Sequence, residues 1–206
     1  NKAKQCLSSK EFETIRLDLR KLRSKPFKNI FKIHKEYLRD LSRRENKKIK
    51  YFKIKGDDDL FLNESSYYDF NKSLIHIFRN IISHGIETSD ERKNKGKSEG
   101  GNIYCEARKN EEKLEIIIKD DGAGIDTSKL KKRALKNNIY EKEYLDSLSK
   151  NELLKLIFED KISSQDEVGK LSGRGVGMSA VREEVINLGG EIKVQSVIDK
   201  GTEFKL

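Results

Sequence analysis

The order of helix and strand patterns along the 206 residues predicts an α+β fold. Three observations carry that expectation. A helical pattern from about Tyr68 to His84 puts Leu74, Ile77, Phe78 and Ile81 on one face and His76, Asn80, Ser83 and His84 on an adjoining polar face, at about 100° per residue. After it, Ile103, Cys105 and Ala107 alternate, Asn110-Glu111 turns, and Leu114, Ile116 and Ile118 alternate again, which is the two-residue period of strands. Last, a helical pattern from Met178 to Leu188 ends on Gly189-Gly190. It gives way to the alternation Ile192, Val194, Ser196 and to a turn at Lys200-Gly201-Thr202 into a final strand.

The length suits one domain of ordinary size with an appendage, and an apolar fraction of 34% allows a lean core. The net charge of +9 is unevenly spread. Residues 1–55 hold 19 Lys/Arg against 6 Asp/Glu, a surplus of 13, so residues 56–206 carry a net −4. Those basic residues interleave with apolar ones at helical spacing, which favours a solvated helix face over a nucleic-acid footprint, and no nucleic-acid partner is expected. Cys6 and Cys105 lack metal-ligand spacing and fit a reducing, cytoplasmic setting. No apolar run reaches the roughly eighteen residues of a membrane span and no signal peptide opens the chain, which leaves room for a membrane-tethered parent. A chain that starts without Met and stops on a strand is expected to be a piece of a longer protein.

Ser8-Ser9 before Glu11 starts a helix with Phe12, Ile15, Leu19 and Leu22 at spacings of three and four, and Pro26 interrupts it. Beyond Pro26, the residues Phe27, Ile30, Phe31, His34, Leu38 and Leu41 share one stripe of a second helix. Two basic amphipathic stretches with no core of their own are expected to pack on another chain or domain. His34 faintly resembles a phosphoacceptor histidine, but its place on the apolar stripe favours a packed helix residue. Lys48–Lys55 is a strand edged with lysines, and Gly85 stands in the C′ position of the Tyr68–His84 helix. Thr88–Gly101 reads as a polar loop, 127–138 and 141–159 as helices, and Glu159–Ser172 as a mobile loop.

Two stretches suggest chemistry. Asp120-Asp121-Gly122-Ala123-Gly124 sets a carboxylate at a strand end before a Gly-x-Gly turn, where it can accept a hydrogen bond from a ligand; the pattern serves equally as a solvated turn or helix cap. Ser172-Gly173-Arg174-Gly175-Val176-Gly177-Met178 alternates glycines before a helix N-terminus. Main-chain amides and the helix dipole there suit a phosphate, and the same glycines suit a flexible linker.

Taken in order, the helix with Asn80, Asp120-x-Gly-x-Gly, the Gly173/175/177 loop and the Gly201-Thr202 turn resemble the N box and three glycine boxes of the GHKL ATP-binding fold. Within that fold the match is nearest to the chemotaxis-type histidine kinases, the CheA family. His76-Ile-Phe-Arg-Asn80-Ile-Ile-Ser-His84-Gly-Ile-Glu87 is similar to its H-L-x-R-N-x-x-D-H-G-I-E, and Asp90-Glu-Arg92 to Gly96-Lys97 resembles its E-E-R-x-x-x-G-K loop. The resemblance spans about residues 22–206. It implies a Bergerat-type two-layer sandwich over 46–206, with a mixed sheet covered by helices on one face. Residues 1–45 would be the end of a helical dimerisation domain, giving a homodimer.

The resemblance also implies ATP and Mg²⁺ as cofactors and phosphoryl transfer to a histidine outside the fragment, with a phosphoacceptor domain and a response regulator as partners. His76, Asn80 and His84 become the candidate catalytic residues. Asn80 and His76 are the candidate Mg²⁺ ligands, and His84 would contact phosphate. Asp120 would accept from the adenine amino group, with Gly122 and Gly124 in the turn beside the base and Thr202 fixing its edge. Gly173, Arg174, Gly175, Val176, Gly177 and Met178 would wall the phosphates, with Lys97 near their entrance. Two departures matter: Ser83 replaces the N-box Asp, and Phe158-Glu-Asp-Lys-Ile-Ser-Ser164 replaces the lid F-x-P-G-F-S-T. They motivate an alternative, a nucleotide-binding signalling module with weakened catalysis.

Overall fold

The computed structural model describes residues 11–12, 14–15, 24–56, 60–63, 67–110, 113–159, 162 and 177–206. In chain order the elements are β1 (Ser24–Pro26), α1 (Phe27–Arg44), β2 (Ile49–Gly56), β3 (Phe61–Asn63), α2 (Tyr68–Asn80), α3 (Ser89–Asn94), β4 (Gly101–Asn110) and β5 (Lys113–Asp120). After these come α4 (Thr127–Lys136), α5 (Lys142–Ser147), α6 (Lys150–Lys155), α7 (Met178–Asn187), β6 (Lys193–Val197) and β7 (Gly201–Lys205). Glu11, Phe12, Thr14 and Ile15 are helical, as expected for the first stretch.

The five long strands form one mixed sheet in the order β2-β4-β5-β7-β6, with β2 parallel to β4 and the other pairs antiparallel. Alternation explains the layering. Ile103, Cys105 and Ala107 face Asp120, Ile118 and Ile116 across the β4–β5 pair, and all six are buried. Tyr104 and Lys119, paired on the opposite face, are exposed. Helices therefore cover one face: α2 supplies Leu74, Ile77 and Phe78, and α7 supplies Met178, Val181 and Val185 to the same core. The lysines of β2 lie on a sheet edge, where they discourage pairing with another chain.

Pro26 ends β1 and is the residue before α1, so it starts the second helix as well as interrupting the first. The apolar stripe of α1 is covered from within the chain. Phe31 and Leu38 are buried in the core, and Phe78 meets Phe31 and Phe52 edge-on at centroid distances of 6.2 and 5.9 Å. His34 is a packed residue. It is 5% exposed, lies 5.0 Å from the Phe78 ring, and shares a 2.9 Å hydrogen bond with Asn71. Burial lowers its pKa against the opposing effect of Asn71, so at neutral pH it packs uncharged.

Several boundaries differ from expectation, each for a local reason. The 68–84 helix stops at Asn80 and widens into a π turn, Ile81–Gly85, closed by the Ile86 amide on the Ile81 carbonyl at 2.7 Å. Gly85 is not left-handed, so it is no C′ glycine. The polar 88–101 stretch contains α3, started by a capping box between Thr88 and Glu91. A second capping box, Ser149 with Glu152, divides the expected 141–159 helix into α5 and α6, and the chain then tightens into a 3₁₀ turn at Leu156–Phe158. The short β1–β3 ribbon was not apparent in the sequence. Residues 160–161 and 163–176 lie outside the described residues, and with them most of the lid sequence and of the expected mobile loop, and Gly173, Arg174, Gly175 and Val176. Among the described residues no helix is long and apolar enough to cross a membrane.

Candidate functional site

The inward rows of β5, β6 and β7 turn from apolar to polar at the same end of the sheet. Ile116 and Ile118 lead to Asp120, Val194 leads to Ser196, and Phe204 leads back to Thr202; Ser196 and Thr202 pair directly in register. Asp120 is 1% exposed. Burial raises its pKa to about 6; the amides of Gly122 and Thr202 oppose that rise, and the neighbouring Asp121 and Glu87 charges add to it. The Gly122 amide donates to Asp120 Oδ1 at 2.8 Å. Ser196, which the sequence marks only as a strand position, ties this corner together. Its Oγ accepts from the Ile125 amide at 2.8 Å, donates to the Gly201 carbonyl at 3.0 Å, and lies 3.0 Å from Thr202 Oγ1. A hydroxyl at the end of an otherwise apolar alternating row was the signal that could have found it.

These groups open onto a cavity of about 370 Å³ that Asn80, His84, Gly85, Asp120, Gly124 and Thr202 line together. Two cations that the sequence reading passed over also line it, Lys129 and Arg133, one turn apart on α4. Their signal was the i, i+4 spacing just downstream of the Asp120 turn. His76, one turn before Asn80, is partly buried and is not among the lining residues. Met178 is fully buried in the core, and Gly177 is the residue from which α7 starts. A larger groove of about 700 Å³ lies at the other end of the sheet, lined by residues such as Tyr67, Lys113 and Leu206. It contains none of the candidate site residues.

The glycines beside Asp120 serve backbone packing. A Cβ on Gly122 would stand 2.2 Å from the Gly85 carbonyl oxygen, and one on Gly124, whose φ is +73°, would stand 2.3 Å from the Val197 carbonyl oxygen. The π turn and the Asp120 turn thus interlock, and the Ala123 amide donates to the Gly85 carbonyl at 2.8 Å. The substituted N-box position faces elsewhere. Ser83 Oγ donates to Glu45 Oε1 at 2.5 Å, while the Lys47 ammonium donates to the Ile82 and Ser83 carbonyls at 2.7 and 2.6 Å. Ser83 does not line the cavity.

Lys97 is held behind the turn. Its ammonium donates to Glu87 Oε1 at 2.7 Å and to the Asp121 and Gly122 carbonyls at 3.1 and 2.7 Å. Among the described residues no group of three or more His, Cys, Asp and Glu side chains could hold a metal ion. The Asn80 amide is a hard oxygen donor on the cavity wall. It fits Mg²⁺ that takes most of its shell from ligand phosphates and water.

The family model for histidine kinase-, DNA gyrase B-, and HSP90-like ATPases matches residues 70–206. A chemotaxis protein CheA of Borreliella burgdorferi is 37% identical over 90% of this chain and 21% of its own length. A chemotaxis protein CheA of Halobacterium salinarum is 34% identical over 90% of this chain and 27% of its own. Among solved structures, the mycobacterial sensor histidine kinase MprB aligns at 15% identity over 88% of this chain and 93% of that one, with a TM-score of 0.49. The chain thus spans about a quarter of the length of the curated relatives it matches.

The interlocked turns set a test. Gly122→Ala drives a methyl into backbone and is expected to destabilise the protein by about 3 kcal/mol, the upper part of the overpacking range. Gly85→Ala meets its nearest neighbours at an ordinary 3.6 Å and should cost less than about 1 kcal/mol. Urea unfolding of both variants measures the difference.

Proposed function

This chain belongs to the histidine kinase-, DNA gyrase B-, and HSP90-like ATPase family as a CheA-like member, and we propose that its cavity binds Mg-ATP for transfer of the γ-phosphoryl group to a histidine outside residues 1–206. One observation carries this reading: a single cavity joins a buried carboxylate suited to an adenine amino group with an amide oxygen and three cationic or potentially cationic side chains suited to phosphates. Asp120 accepts from the base while the Gly122 and Thr202 amides fix its direction. Thr202 and Ser196 close the base edge. Asn80 holds Mg²⁺, which, when bound, neutralises phosphate charge. His84, Lys129 and Arg133 face the phosphate end. His76 has no place on the cavity wall and receives no metal role in this proposal.

Transfer forms a bond between an acceptor imidazole nitrogen and the γ-phosphorus and breaks the bond to the bridging oxygen, which leaves with ADP. Such a reaction requires mainly positioning and charge neutralisation. A phosphoacceptor domain and then a response regulator receive the phosphoryl group, in a cytoplasmic setting. The glycine loop through Gly177 completes the phosphate wall in this proposal. Ser83 bonds to Glu45 and is not one of the cavity's lining residues, which favours an active site over a weakened one. The homodimer expected of residues 1–45 would form, in this reading, through residues upstream of Ser24; the burial of Phe31 and Leu38 in the same core as α2 supports it. Phe12 and Ile15 expose 58% and 44% of their surface there, apolar area suited to a second copy.

Incubation with Mg-ATP labelled at the γ position and a histidine phosphotransfer domain should yield acid-labile phosphohistidine. Asn80→Ala should reduce that yield by about two orders of magnitude, the scale of losing a main charge-stabilising contact. Tight ATP binding with no transfer to any such domain would identify a signalling module instead. Because ionised Asp120 is a stronger acceptor than the protonated acid, ATP affinity should be flat above pH 7 and fall as the pH drops through about 6, by up to about tenfold at pH 5. Calorimetric titration across that range, with no break near 6, would remove Asp120 from the base site. Deleting residues 1–23 should halve the mass seen in sedimentation and leave the unfolding curve in place; equal masses would refute the dimer.

A further inference from the structure

The Asp90–Lys97 motif forms a charged cluster with Glu87 and Asp121 behind the Asp120 turn. Arg92 is 1% exposed and spreads its guanidinium over four acceptors. These are Glu87 Oε2 at 3.0 Å, Asp121 Oδ2 at 3.1 Å, the Asp121 carbonyl at 3.3 Å and the Ser98 carbonyl at 2.7 Å. Lys97 has three ammonium protons and three acceptors, Glu87 Oε1 and the Asp121 and Gly122 carbonyls. Its donors are used, and it does not line the cavity. Asn102 completes the grip, donating from its amide and side chain to the two Asp121 carboxylate oxygens at 2.9 and 2.5 Å. With Lys95, which pairs with Glu87 at 3.6 Å and with Asp199 at 2.5 Å, three cations and three carboxylates balance in charge. Burial alone would raise the Glu87 carboxyl, but the hydrogen bond and charge of Lys97, with the charge of Arg92, hold it below the usual range.

The carbonyls that Lys97 grips belong to the two residues after Asp120, and the next amide, that of Ala123, donates to the Gly85 carbonyl of the π turn. Gly122 also donates its own amide to Asp120 Oδ1. Fixing the Asp121 and Gly122 peptide planes from behind therefore fixes the direction in which the Asp120 carboxylate faces the cavity. Resting on the reading of Asp120 as the adenine acceptor, we propose that Lys97, braced by Glu87 and Arg92, is a positioning residue for purine discrimination and not a phosphate ligand.

The test titrates the 206-residue chain with ATP, adenosine and inosine triphosphate, whose ring carries an oxygen in place of the amino group. Wild-type protein should prefer ATP over inosine triphosphate. In Lys97→Met, ATP and adenosine should both weaken by about tenfold, the scale of one charge-assisted hydrogen bond, while inosine triphosphate stays unchanged. Lys97→Arg, which keeps the charge, should recover part of the preference. Loss of ATP affinity with adenosine unchanged would make Lys97 a phosphate ligand and overturn the proposal. Equal weakening of both triphosphates would reduce it to a general structural role and overturn it as well. If Lys97→Met does not fold, Lys97→Met with Glu87→Gln removes both charges together and is read the same way; failure of that pair to fold would assign Lys97 to the fold and end the proposal. A wild-type chain that binds ATP and inosine triphosphate equally contradicts the adenine assignment of Asp120, separately from the clamp.

Discussion

A carboxylate at 1% exposure is the constraint on which the rest of this structure depends. Removing Asp120 from water costs several kcal/mol in the charged form unless fixed dipoles replace the solvent. Here the replacement comes from main-chain amides of Gly122 and Thr202, which belong to different parts of the chain. Those amides reach the carboxylate only because β5 and β7 are neighbours and the turn after Asp120 is glycine-rich. Sheet order, glycine placement and the buried charge cluster behind the turn are thus consequences of one electrostatic requirement.

The π turn after α2 shows the same economy. Widening the helix at Ile81–Gly85 leaves carbonyls without helical partners, and Lys47 takes two of them, at Ile82 and Ser83. Glu45 then accepts from Ser83 and pairs with Lys47 at 3.5 Å. The end of α1 is therefore tied to the segment that carries His84, and through Gly85 to the Asp120 turn. Movement of α1 and movement of the cavity wall share these bonds, a physical link between the amino-terminal helices and the site. Ser83, which looked from the sequence like a lost site carboxylate, is a member of that tether.

The resemblance named Asp120 and Thr202 as candidates, and the fold gives each a physical setting at the polar end of an inward alternating row: Asp120 follows Ile116 and Ile118, and Thr202 precedes Phe204. Legibility failed where a signal is short or shared. The capping boxes Thr88–Glu91 and Ser149–Glu152 were written in the chain, but each governs a helix of only six residues, too brief for apolar periodicity to confirm. For Lys97 the sequence suits a phosphate entrance as well as a carbonyl cage, and the three acceptors around its ammonium come only with the fold.

The sequence by itself determined the fold class, the apolar faces of α1 and α2, and the order of the boxes, because these follow from local periodicity and from the succession of glycine-bearing turns along the chain. Tertiary structure alone decided which polar residues meet. Ser196 reaching Ile125, Lys129 and Arg133 sharing a cavity with Asn80, and Arg92 closing on Asp121 are all encounters between distant segments, set by strand order and packing. The physical reason is that local propensity specifies direction along a helix or strand, whereas the electrostatic environment of a side chain is the sum of whatever the finished fold places around it.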